Sequence, residues 1–181
     1  MIGKEDFSKM RLLDFFPDNP QARKCPKSAD ERSYDFEWVG GLWDMDVIPG
    51  VKFYYPEADG SKLGAVELGL RVPEVDEGSW QGDPREQEAN AAKVLAALDL
   101  PFHFRDSLAT YHDLLKKWNI VISEELYPNP YGPKNLPWTW QGFHFGKPDE
   151  FLVQVLVHHA QGILKVEVRR EDLAEGNELQ E

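Results

Sequence analysis

From Phe151 to Arg170 the chain writes out two strands facing each other across a turn. Phe151 to His159 is apolar on both faces, as a strand covered on two sides must be. Gly162 to Arg170 alternates, with Leu164, Val166 and Val168 on one face and Lys165, Glu167 and Arg169 on the other. That period of two marks a half-buried strand. Ala160-Gln161 is the expected turn, although neither residue belongs to the favoured chemistry of tight hairpins. A lone hairpin is unstable in water, so the rest of the chain must extend this sheet and cover it.

A second hairpin supplies the extension. Val51 to Tyr55 and Leu63 to Val72 read as strands around the turn formers Pro56 to Ser61. In its second arm Ala65, Glu67, Gly69 and Arg71 share a wet face, and Val66, Leu68, Leu70 and Val72 share a core face. Tyr34 to Trp38 alternates aromatic with acidic residues and reads as a further strand, broken by Gly40-Gly41. Cover comes from helices. Asp83 as N-cap, Pro84 at the first helical position and Glu86 three residues past the cap open a helix running to about Leu98. Asp106 caps a second, through Trp118, with Leu108, Tyr111, Leu115 and Trp118 as its stripe. Residues 4–16 fit a short third helix before Pro17 and Pro20.

Ile120 to Ile122 reads as a short strand. Residues 127–148, with five prolines and six aromatics, read as an ordered loop folded onto the body. Residues 1–33 form a helical and irregular N-terminal segment, and 171–181 a frayed tail. The expectation is one α+β domain over residues 1–181: a mostly antiparallel sheet built from two hairpins, with two to three helices packed on it.

The chain of 181 residues has 32 acidic against 20 basic side chains, for a net charge of −12. Phosphate backbones and anionic membranes are bound through Lys and Arg, so neither nucleic acid nor a membrane surface is an expected partner. No stretch approaches the ~20 apolar residues of a spanning helix. The acid-interrupted N-terminus reads as neither signal peptide nor anchor. Cys25, the single cysteine, cannot close an internal disulfide, and a cytoplasmic setting is expected. The charge is uneven along the chain. Residues 34–100 hold 5 basic and 14 acidic side chains, and residues 149–181 hold 3 and 8.

No motif names a reaction. Gly-x-Ser-x-Gly and the glycine-rich phosphate loops are absent, and Lys24-Cys25-Pro26-Lys27 lacks a nucleophile's signature. Adjacent strand residues His158 and His159 point to opposite faces and cannot share an ion, so neither metal nor cofactor is expected. What the sequence does contain is aromatic residues rimmed by acids: Asp35 and Glu37 among Tyr34, Phe36 and Trp38; Asp44 and Asp46 after Trp43; and Glu74, Asp76 and Glu77 before Trp80. Aromatic anchors supply buried area in protein interfaces, while charge steers encounter. The leading expectation is therefore a non-enzymatic acidic domain that captures a basic protein. Its concrete form is a bacterial immunity or antitoxin-type inhibitor of a nuclease-like toxin. Two other readings stay open. One is a small hydrolase pairing Asp44 or Asp46 with His103, His144, His158 or His159; the other is a sugar or peptide module using Trp138 and Trp140 as a stacking platform.

Overall fold

A computed structural model describes residues 1–19, 42–55, 62–70, 83–122, 124–125, 137–147 and 149–174. Among them, seven strands form one antiparallel sheet: β1 (Leu42–Ile48), β2 (Val51–Tyr55), β3 (Ala65–Gly69), β4 (Glu124–Glu125), β5 (Trp138–Phe145), β6 (Phe151–His158) and β7 (Gly162–Arg170). Their order is β1-β2-β3-β7-β6-β5-β4. Both expected hairpins are present, β2 on β3 and β6 on β7, and they meet where β3 pairs with β7. The α+β architecture with an antiparallel sheet is the one the patterning implies.

Alternation assigns each strand residue to a face. Val51, Phe53, Tyr55, Val66, Leu68, Phe143, Val153, Val155, Val166 and Val168 build the main core beneath the helices. Helix α3 (Pro84–Leu98) contributes Ala91, Val94, Leu95 and Leu98, and α4 (Leu108–Lys117) contributes Tyr111 and Leu115. Two short helices, α1 (Lys4–Ser8) and α2 (Leu12–Phe15), replace the single one expected over residues 4–16. They set Phe7 against Phe151 at 5.2 Å and Phe15 against Phe53 at 6.1 Å, both edge to face. Each large apolar side chain taken out of water in this way contributes roughly 1.5–3 kcal/mol.

Helix α3 begins as its sequence dictates, the Asp83 carboxylate accepting from the Arg85 N–H at 2.8 Å. Helix α4 starts one residue later than expected. Ser107 is its cap, while the Asp106 carboxylate accepts from the His103 N–H at 2.8 Å. Its end also differs. Asn119 turns left-handed at φ 56, and Ile120 N–H reaches back to the Leu115 carbonyl at 2.9 Å. This Schellman closure turns Trp118 outward, 43% exposed, instead of completing the core stripe. Ile120 to Ile122 is not a strand, and Val121 is 81% exposed.

A further expectation changes. Within the proline-rich stretch read as a loop, residues 138–145 are β5, paired along its whole length with β6. Asp44 and Asp46 fall in a strand, β1, joined to β2 by the two-residue turn Pro49-Gly50. Gly50 has φ +83, and a Cβ there would lie 2.6 Å from the Gln87 carbonyl oxygen of α3, so the turn tolerates only glycine. At the other end, residues 171–174 form the short helix α5 (Glu171–Ala174).

Candidate functional site

The sheet face away from the main core carries Lys52, Glu67, Lys165, Glu167 and Arg169 on three neighbouring strands. Strand pairing brings Lys52, Glu67, Glu167 and Gln154 into one row across β2, β3, β7 and β6. One register step along lie Tyr54, Ala65, Arg169, Leu152 and His144; one step the other way lie Gly69, Lys165, Leu156 and Trp140. The sequence marks Glu67 and the Lys165-Glu167-Arg169 series as a wet face. The structure corrects this, because Lys165 and Tyr54 are buried and the Glu167 side chain is only 13% exposed.

Glu67 and Glu167 stand directly opposite each other on neighbouring strands, which places their Cβ atoms roughly 5 Å apart. Burial pushes the Glu167 carboxyl up; Arg169, which bonds it directly, pulls back, and Glu67 pushes it further up. Burial likewise raises the Tyr54 phenol, partly offset by Arg169. Such a pair can share a proton or receive a cationic group.

All five histidines make internal contacts. The His112 Nε2 donates to the Gln141 side-chain oxygen at 2.8 Å, tying α4 to β5 and satisfying a buried amide. His103 lies 3.8 Å from Asp106, His144 lies 3.6 Å from Glu171, and His159 meets the Thr139 hydroxyl at 3.3 Å. His158 is buried, and its Nδ1 accepts from the N–H groups of Ala160 and Gln161, each at 3.1 Å. The carboxylate partners expected for these histidines, Asp44 and Asp46, are on β1, four strand spacings or ~19 Å from β6. The structure does not bring the two sets together.

Among the expected partner-binding residues, Asp44 sits opposite Phe53 in register, and Asp46 lies in the register shift before Ile48. Asp35, Glu37, Glu74, Asp76, Glu77 and Trp80 lie outside the described residues, as do Cys25 and the Tyr34–Trp38 strand. The two platform tryptophans lie on the second sheet face. Trp138 is 8% exposed and packs with Leu70, Leu156 and Leu164, and half-buried Trp140 rests on the same cluster. An indole held that way is sheet cover, which leaves no two-tryptophan stacking surface.

The carboxyl pair is missed by sequence reasoning because its register across β3 and β7 joins residues 100 positions apart. The signal was the acid at the centre of each alternating strand, Glu67 and Glu167. Among the described residues no three His, Cys, Asp or Glu side chains group as metal ligands, and no helix is long and apolar enough to cross a membrane. None of the family models, curated proteins or solved structures compared with this chain matches it.

Proposed function

We propose that this chain is an acidic protein-binding domain that captures a basic protein, in the manner of an immunity or antitoxin-type inhibitor of a nuclease-like toxin. The observation that carries the reading is the concentration of charge: a net −9 over residues 34–100, interleaved with Tyr34, Phe36, Trp38, Trp43 and Trp80. A nuclease needs a cationic surface for its substrate, so an inhibitor that covers that surface is acidic. His112 and His158 are taken up in holding the fold, which favours binding over hydrolysis. The contact surface in this reading comprises Asp35, Glu37, Asp44, Asp46, Glu74, Asp76, Glu77 and Trp80, with the cytoplasm as the setting.

The test is capture with the full-length protein at low salt, followed by identification of what is retained and a binding titration. A basic partner is expected, its affinity falling by about tenfold or more between ~0.1 M salt, where the screening length is ~10 Å, and ~1 M, where it is ~3 Å. Joint Glu74→Lys, Asp76→Lys and Glu77→Lys substitution is expected to abolish capture. Retention of no basic protein, or binding indifferent to salt and to the triple substitution, overturns the reading.

A further inference from the structure

The turn between β6 and β7 is held by a side chain whose protonation state the geometry fixes. Backbone N–H groups only donate, so the His158 Nδ1 that receives Ala160 and Gln161 presents a lone pair. The ring proton is then on Nε2, which is buried and has no hydrogen-bond partner among the described residues. A second proton has one place to go, Nδ1, where it displaces both N–H donors. Neither Ala160 nor Gln161 has favoured hairpin chemistry of its own, so the imidazole supplies what the turn residues lack.

The same corner anchors another segment. Arg105 N–H donates to the Ile163 carbonyl at 3.0 Å, Ile163 N–H donates to the Asp106 carbonyl at 2.9 Å, and the Arg105 guanidinium reaches the Gln161 side chain at 3.2 Å. Other charged groups face this corner. Arg105 stands on the turn, paired on its far side with Glu88; Lys165 follows on β7; and the Asp106 carboxylate is taken up by His103. On the opposite strand His158 faces Trp138, and its neighbour His159 is directed to Thr139.

We propose that His158 is a pH-operated latch: the neutral ring closes the β6–β7 turn, and uptake of a second proton at Nδ1 opens the turn and frees residues 102–107 from Ile163. This rests on hydrogen-bond geometry and is independent of any partner.

Two-bond proton–nitrogen correlation spectra of the full-length protein at neutral pH are expected to show His158 as the Nε2–H tautomer. Amide exchange, corrected for intrinsic rates, is expected to show Ala160, Gln161, Arg105 and Ile163 losing protection together on acidification. The loss is about tenfold per pH unit once the second proton binds, while Val155 at the sheet centre stays protected. His158→Asn, whose side-chain oxygen can accept the same two N–H groups, is expected to keep the turn and abolish the pH dependence. An Nδ1–H tautomer, unchanged protection on acidification, or an H158N protein with the original pH dependence overturns the proposal. The tautomer measurement uses the unaltered chain and decides the matter even if the variant fails to fold.

Discussion

Glu167 shows what a single residue loses and gains by its place in a sheet. In the sequence it is one acid in an alternating strand, with nothing to separate it from a solvated side chain. In the fold it is largely buried, opposed by Glu67 and bonded to Arg169. Burial is the largest influence on its carboxyl and raises it; the cations offset this only in part. A carboxyl raised in the folded state binds its proton more tightly there than in the unfolded chain. Its contribution to stability is therefore fully present below the unfolded carboxylate range, near ~4.3, and is lost as pH rises through the folded value. Glu167→Gln removes that dependence while keeping an oxygen for Arg169. At neutral pH the variant is expected to match or exceed the parent by on the order of 1 kcal/mol, the two converging as pH falls. Urea denaturation across the acid range checks this; a variant several kcal/mol weaker at neutral pH shows instead that the Arg169 pair outweighs the burial cost.

Elements were legible wherever local chemistry and periodicity agreed. The start and end of α3 follow from Asp83, Pro84 and the apolar stripe to Leu98, and both hairpins follow from alternation. The sequence misled where a non-local contact or an extra residue intervened. Alternation groups Leu164 with Val166 and Val168, yet Leu156 pairs with Lys165 and Val157 with Ile163, which leaves Leu164 as a bulge residue. Beyond that bulge the faces exchange: Ile163 joins the main core, and Leu164 joins Leu70, Trp138 and Leu156. Strand β5 is hidden by the prolines that flank it and by Gln141, a polar residue at a core position that is explained by His112 across on α4. Periodicity places Trp118 in the core because it does not reveal where a left-handed residue will end a helix. Gly162 is a second case of a contact invisible in one dimension. At φ +79, with a Cβ there placed 2.3 Å from the Arg105 carbonyl oxygen, it admits no side chain. Gly162→Ala is expected to cost more than about 2 kcal/mol, combining left-handed strain with displacement of residues 105–106. Thermal unfolding measures the loss, and a change within a few tenths of a kcal/mol refutes the close approach.

Across the whole molecule, charge acts on folding and on association with opposite sign. A net −12, with −9 of it in residues 34–100, repels itself more strongly as the chain compacts. The exposed ion pairs that salt also weakens, Arg105 with Glu88 at 3.1 Å and Lys4 with Asp172 at 3.4 Å, are of a class worth ~1 kcal/mol or less each. Repulsion is therefore expected to outweigh them, so that added salt stabilises the fold. Raising sodium chloride from ~0.02 to ~0.5 M is expected to lift the thermal midpoint by about 2–4 °C, the equivalent of ~1 kcal/mol for a chain of this size. The proposed capture of a basic partner is expected to weaken over the same range, because the field that would destabilise the free domain is the one that would steer encounter. Measured together in one salt series, the two slopes separate the explanations. A midpoint that rises while affinity falls identifies acidity held at a folding cost for the sake of a partner. A flat or falling midpoint shows that the acids are already compensated inside the fold, and charge then no longer argues for a cationic partner.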